Sequence, residues 1–543
     1  MLQAMKWIPP VTAFLAIVTF SLWHLDRPRI WGDEADTVFL SRSIATSGVP
    51  RAFDGKNVMV FENCSQLGGQ LVSKKIPWAQ YYVAFISQWL FGESTFGMRA
   101  LFALIGACAF FPLLGLLRGR TSYPSLFAAL TLLQPQVLLY NRNARYFSLL
   151  IFLTISMMWA LLEPQRRLWL RRILLAAGSI LLFQTHPLSA GCTVLGMSAF
   201  LVLKRREGFA LKDLSLLWSG LLVWAVWFWS IPGISGSEPF SIESILKAPK
   251  VLAIEFIGRI GANLFDLDFA GVLPLFFWLL TAAMLFRSGA KQFLRESLNE
   301  LILLVGACLV LGIAAEKAFA PVTQGSNVRY MPQICPLLAI LFWSSFKYMN
   351  LKEVRLRIGV LIFAFLVLFT NFFNLSFWTF PDLHTRSIWA KSIPWSWWPS
   401  IYGEIFFDMP DTSLTALESL RRHKASPASL VQFKPEFMDG VFAVYAGDEF
   451  LIRPTLKLGT ECANVVERVV GTNLFQKLTN PPDLIVDLEP EEGPKIEGNR
   501  IEAIPIFRER PDFARPELIR HSFSSKLTLT EGGIWQPSVI NRN

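Results

Sequence analysis

Apolar runs long enough to cross a membrane recur along residues 1–378 of the chain. A span needs roughly 20 mostly apolar residues, within a range of about 17–25. Runs at 7–25, 98–117, 124–140, 146–162, 173–187, 188–203, 214–232, 270–286, 301–319, 331–346 and 358–378 meet that need. The pattern predicts a polytopic α-helical membrane protein with about eleven transmembrane helices. Gln184, His186 and Pro187 interrupt 173–203 and divide it in two. The stretch AQYYVAFISQWLF, 79–91, is too short to span and reads as an interfacial or re-entrant helix in the first external loop. The N-terminal run lacks an A-x-A-like cleavage site and is expected to stay in place as the first helix.

After residue 378 the pattern changes to charged and proline-containing sequence such as NPPDLIVDLEPEEGPKIEGNR. LIVDL and GVFAVYA read as short strands, and TSLTALESLRRH as a capped amphipathic helix. The expected organisation is a transmembrane domain over 1–378, with a first external loop at 26–97, and a C-terminal soluble α/β domain over 379–543.

Composition supports the membrane reading. The chain is 53% hydrophobic and 17% charged, against roughly 45–50% and about 25% in soluble proteins. Its formal charge of +10 would suggest nucleic acid in a soluble protein. Here the distribution explains it. With the N-terminus inside, the internal loops hold Arg118 and Arg120; Arg166, Arg167, Arg171 and Arg172; Lys204, Arg205, Arg206 and Lys212; Arg287, Lys291 and Arg295; and Lys347, Lys352, Arg355 and Arg357. That asymmetry follows the positive-inside rule, so no nucleic-acid partner is called for. It places the 26–97 loop, a loop near 233–269 and the tail outside. The six cysteines show no CxxC or Cys/His metal spacing; Cys64 and Cys462 lie in polar regions, where pairing is open.

The candidate chemistry starts at WGDEADTVFLSRSI, 31–44, just beyond the first span. Asp33 precedes an amphipathic pattern with Ala35, Val38, Phe39 and Leu40 apolar and Gly48 past its end. It is a natural N-cap there. It is also placed to act as a general base at the outer surface, with Arg27, Arg29, Arg42 and Arg51 nearby to favour an anion. Glu34 either shares that proton chemistry or holds a nearby arginine, and Asp36 reads as structural. Cations at the same face are Lys74 and Lys75 in KKIPWAQYY, Arg145 in NRNARYF and Arg329 in SNVRYMPQICP. An arginine beside an apolar span is costly unless paired or bound to an anion, and its fork suits phosphate. The competing readings are snorkelling lysines and arginines held by carboxylates or head groups. Tyr146 and Tyr330 read as aromatic-belt anchors, and His186 as a polar turn residue. Asp266 and Asp268 form a D-x-D that by itself is weak ground for a metal site.

The order of these pieces resembles the GT-C glycosyltransferases that use polyprenyl-phosphate sugars, in particular protein O-mannosyltransferases and the lipid A aminoarabinose transferase. The carriers are WGDEA at 31–35, KKIPWAQYY at 74–82, LFGESTFGMR at 90–99 with an arginine opening the next span, NRNARYF at 141–147 and SNVRYMPQICP at 326–336. The likeness covers about residues 1–380; K-I-P stands where the family has K-P-P or similar. The resemblance implies a GT-C fold and an inverting transfer at the outer face of the cytoplasmic membrane. Asp33 would be catalytic base, with Glu34 beside it. Lys75, Lys74, Arg145 and Arg329 would hold the donor phosphate. The implied partners are a polyprenyl-phosphate-linked sugar, membrane lipids and a lipid, glycan or protein acceptor. No cofactor and no metal are implied. Two alternatives stay open: a ligase that moves a glycan from a pyrophosphate carrier, and a non-enzymatic transport or lipid-binding protein. Charges at span ends rather than midplanes argue against transport.

Overall fold

The computed structural model describes residues 10–26, 30, 32–60, 64, 67–74, 76–121, 123–162, 168–204, 211–231, 300–309, 332–334, 336–337, 339–340, 417, 421, 429–434, 439–447, 449–454, 460–480, 484–487, 503–505, 527–529 and 535–537. In chain order the principal helices are α1 (Pro10–Leu22), α2 (Gly32–Arg42), α3 (Ala79–Phe91), α4 (Thr95–Cys108), α5 (Phe110–Leu117), α6 (Pro124–Leu132), α7 (Pro135–Asn141), α8 (Phe147–Leu162), α9 (Leu168–Thr185), α10 (Pro187–Lys204) and α11 (Leu211–Ser230). Nearer the C-terminus come β1 (Leu430–Lys434), α12 (Asp439–Ala446), β2 (Leu451–Ile452), α13 (Thr460–Val470), α14 (Thr472–Thr479), β3 (Leu484–Asp487), β4 (Ala503–Pro505), β5 (Leu527–Leu529) and β6 (Trp535–Pro537). The chain divides into two compact units. One comprises Met1–Trp23, Phe102–Val226 and Phe240–Phe406; the other comprises His24–Leu101, Trp227–Pro239 and Phe407–Asn543.

The first unit is helical. Among the described residues of the whole chain, three helical stretches are long and apolar enough to cross a membrane: Thr95–Leu117, Leu168–Thr185 and Lys212–Ser230. Shorter apolar helices are Pro10–Leu22, Phe147–Leu162, Pro187–Leu203 and Glu300–Leu309. α8 packs on α5 and α9, α9 on α10, and α1 on α6 and α7. Small residues let these helices approach closely. A Cβ on Gly196 of α10 would overlap the backbone of Cys308, and one on Gly220 of α11 the backbone of Ser179. The run 124–140, expected as one span, is two helices, because Pro135 cannot continue α6 and instead opens α7 at its first turn. The division at His186 and Pro187 appears as the junction of α9 and α10. Arg171 and Arg172, counted above as loop cations, reach Asp213 at the start of α11, whose carboxylate is fully buried. The expected spans at 270–286 and 358–378 lie outside the described residues.

In the second unit α2 packs against α3 and α12. A buried cluster joins Leu40, Ile44, Val58, Val60, Leu67, Leu71 and Tyr81 from the first loop to Leu430, Leu451, Val465, Val466 and Leu478 from the tail. The tail contributes a four-stranded sheet in the order β2-β1-β3-β4, all pairs parallel, with Val431 opposite Leu484 and Lys434 opposite Asp487. LIVD forms β3 as expected. GVFAVYA does not form a strand. It lies in α12, which connects the parallel strands β1 and β2; parallel neighbours need a crossover, and a helix supplies it. Residues 417 and 421 of TSLTALESLRRH are the described ones, and both are helical.

Several polar links fasten loop to tail inside this unit. Asn57, fully buried, donates through Nδ2 to Gly447 O at 2.9 Å and accepts the Ile452 N–H through Oδ1 at 2.8 Å. Arg42 donates to Val444 O at 2.8 Å and Ala443 O at 3.4 Å, placing a cation on the last carbonyls of α12, where the helix dipole is negative. Cys64 and Cys462 form a disulfide with Cα atoms 5.6 Å apart. α3 buries Gln80, Tyr81, Ala84, Ser87 and Gln88 on one side, while Tyr82, Ile86, Trp89 and Leu90 are exposed, so a second apolar face points outward. Such a helix suits a lipid interface.

Candidate active site

Successive residues of a helix point about 100° apart, and this gives the two members of the first acidic pair different surroundings. Gly32 begins α2, so Asp33 and Glu34 both lie in its first turn and Asp33 is not the N-cap that the pattern suggested. Glu34 turns inward and is fully buried. Arg99 holds it with two parallel bonds, Nε to Oε1 at 2.8 Å and Nη2 to Oε2 at 2.6 Å. The same guanidinium donates to Leu25 O at 3.3 Å, tying the turn that carries the acids to the chain that precedes it. Of the two readings open for Glu34, the structure displays the arginine-holding one. Asp33 is partly exposed, with Thr37 Oγ1 donating to its backbone oxygen at 3.1 Å. Asp36, three residues on and on the same side, is also half-exposed and approaches Gly440 of α12. The helix stops at Arg42, and a short turn at Ile44–Ser47 ends on Gly48, whose φ of 71° is the left-handed value a C-cap glycine tolerates.

Lys74 belongs to this second unit. Its ammonium lies 4.7 Å from the centroid of the Phe228 ring, and Trp78 meets Trp227 edge to face. Lys75, Arg329, Asp266 and Asp268 lie outside the described residues. Among the described residues no cluster of three His, Cys, Asp or Glu side chains forms a metal site.

Arg145 belongs to the first unit. It is almost buried between α7 and α8, its guanidinium 5.2 Å from the Tyr146 centroid and 5.9 Å from that of Phe147. Tyr146 is not a belt residue: it is 2% exposed and stacks on His186, with centroids 4.4 Å apart and planes inclined by 16°. His186 therefore does more than make a polar turn. Its Nδ1 lies 2.8 Å from Ser189 Oγ and 3.3 Å from the Ser189 backbone nitrogen, which caps the start of α10. The imidazole sits in the connection between α9 and α10, outside both helices. Burial, then the charge of Arg145, lowers its pKa from 6.5 to about 3. Arg142, in the same loop, donates to Phe20 O, Ser21 O and Trp23 O and so closes the C-terminal end of α1.

Sequence reasoning assigns no site role to Arg99 or His186. The only signal for Arg99 is its position opening an apolar run, and for His186 its place at a break between two.

No protein-family model matches the chain, and no curated protein matches it. Among solved structures, ArnT from Cupriavidus metallidurans bound to undecaprenyl phosphate is similar over 86% of this chain and 90% of that one, at 16% identity and a TM-score of 0.50. Its apo state matches over 88% and 91%, at the same identity and TM-score. The oligosaccharyltransferase AglB from Archaeoglobus fulgidus is more distant, with 11% identity over 82% of this chain and 64% of that one and a TM-score of 0.42. At these identities the likeness is one of fold: the chain shares the fold of ArnT.

Proposed function

We propose that the chain is an inverting glycosyltransferase that moves a sugar from a polyprenyl-phosphate carrier to an acceptor at the outer face of the cytoplasmic membrane. The observation that carries the reading is the split of the acidic pair. Glu34 is fully buried against Arg99, while Asp33, beside it in the first turn of α2, is partly exposed. The similar ArnT structure holds undecaprenyl phosphate, a carrier whose phosphate cationic side chains such as Arg145 and Lys74 suit.

In this reading Asp33 takes the proton from an acceptor hydroxyl or amine as that group attacks the anomeric carbon. The bond from anomeric carbon to phosphate oxygen breaks, and the carrier phosphate leaves with the electron pair. A positioned carboxylate supplies typically ~10²–10⁴-fold, and cations offset the charge developing on the leaving phosphate. Lys74, Lys75, Arg145 and Arg329 are the proposed cations. Glu34 and Arg99 position the turn. An outward site is consistent with the Cys64–Cys462 disulfide, since such bonds persist in oxidising compartments.

Binding of undecaprenyl phosphate to the purified chain in nanodiscs tests the donor. Arg145→Ala is expected to weaken binding about tenfold or more, the loss of a charge-assisted contact; a wild-type chain that does not bind the lipid would overturn the reading. Orientation is tested by labelling Gln165→Cys, Ala290→Cys and Ser400→Cys from outside. The first two are expected to be protected and the third labelled; a protected position 400 would reverse the topology.

A further inference from the structure

The tail reaches the segment that enters the acidic turn. Ile30 lies two residues before α2 and is buried, so its backbone N–H needs a partner. It donates to the hydroxyl of Tyr445 at 3.0 Å, across 415 positions of sequence. The same hydroxyl lies 3.5 Å from Oγ1 of Thr95, the residue that opens α4. One turn further along α4, Arg99 takes both carboxylate oxygens of Glu34 and the carbonyl of Leu25. Tyr445 therefore ties the entry to α2 to the end of the helix that presents Arg99. It holds the backbone on one side of Asp33, and Arg99 holds the residue on the other.

The tyrosine is carried by α12, and α2 meets that helix near both of its ends. Asp36 Oδ1 lies beside Gly440 in the first turn, 3.5 Å from where a Cβ would stand. Arg42 donates to Ala443 O and Val444 O in the last. A carboxylate and a guanidinium so placed complement the dipole of α12. With α12 seated on α2 in this way, the hydroxyl of Tyr445 has a set place relative to the acidic turn.

We propose that Tyr445 is a positioning residue for Asp33: through the Ile30 amide, its hydroxyl sets where the first turn of α2, and with it the Asp33 carboxylate, stands against the acceptor. This rests on the reading of the preceding subsection, in which Asp33 is the base, and gives the tail a part in it. A base works only within hydrogen-bond reach of the proton it takes, and a displacement of about 1 Å can cost ~10²-fold in rate.

Tyr445→Phe keeps the ring and removes only the hydroxyl. For the purified full-length chain in nanodiscs the readouts are hydrogen exchange of the Ile30 amide, the thermal midpoint and the Kd for undecaprenyl phosphate; in cells the readout is transferred sugar by mass spectrometry. Expected are exchange at Ile30 about tenfold faster, a midpoint and Kd close to wild type, and transfer lowered about tenfold. A double variant with Asp33→Asn separates positioning from general damage. Acting through Asp33, Tyr445→Phe lowers transfer no further once Asp33→Asn is present. Unchanged exchange at Ile30, unchanged transfer, a midpoint that falls together with transfer, or losses that multiply in the double variant would each overturn the inference. The preceding reading fails separately: near-normal transfer in Asp33→Asn sinks both. A strong loss in Asp33→Asn with none in Tyr445→Phe sinks this inference alone.

Discussion

Arg99 grips both carboxylate oxygens of Glu34, at 2.8 and 2.6 Å, with neither side chain more than 3% exposed. A pair so deeply desolvated contributes little net stability, but leaving one partner alone is costly, about 3–5 kcal/mol. Arg99→Met is therefore expected to lower the thermal midpoint sharply, and Arg99→Met with Glu34→Leu to recover much of the loss. A single variant as stable as wild type would mean that the pair does not hold the α2 turn.

The imidazole of His186 is expected to stay neutral well below pH 6. Nitrogen NMR on histidine-labelled protein checks this, the His186→Gln spectrum providing the assignment. The sign of the stability effect follows. The folded pKa of about 3 lies below the unfolded value of 6.5, so below pH 6.5 the unfolded chain binds more protons. Stability is complete above that value and falls on acidification towards pH 3, with a limiting slope of ~1.4 kcal/mol per pH unit. Titration near 6.5 would contradict the buried environment.

Close helix contact predicts a contrast between two glycines of α10. A Cβ at Gly196 would overlap the Cys308 backbone, whereas one at Gly191 meets nothing within 4 Å. Gly196→Ala should destabilise by ~1–3 kcal/mol through overpacking. Gly191→Ala should be neutral or slightly stabilising through helix propensity. Equal midpoints for the two would rule out the close contact between α10 and the helix Glu300–Leu309.

Cys64 and Cys462 are 398 residues apart in sequence. Proteolysis without reductant is expected to release their peptides as one linked mass, which separates on reduction. Both peptides appearing free, and alkylated under native conditions, would contradict the link between first loop and tail.

The parts legible in the sequence are those set by local pattern. Apolar runs locate α1, α8, α9, α10 and α11, and the break at His186–Pro187 is visible as a polar interruption. Pro135 is equally visible, but the unbroken hydrophobicity of 124–140 masks its effect on the backbone. GVFAVYA is ambiguous because a seven-residue apolar run has no period long enough to tell helix from strand; pairing of β1 with β2 decides it. Residues whose roles depend on distant partners are harder to read. The partner of Glu34 is Arg99, 65 positions away. Tyr146 is settled by His186 across a helix pair, which turns an apparent belt tyrosine into a buried stacking partner.

The central claim is that Asp33 is the base, and one comparison tests it most directly. Asp33→Asn keeps the shape of the side chain and removes the proton acceptor; Asp36→Asn is the control on the same helix face. Mass spectrometry of surface lipids, glycans and proteins, from cells carrying each chain, reads the transferred sugar. The account predicts that Asp33→Asn lowers transfer by ~10² or more while undecaprenyl phosphate still binds, and that Asp36→Asn stays near wild type. Near-normal transfer in Asp33→Asn would contradict it.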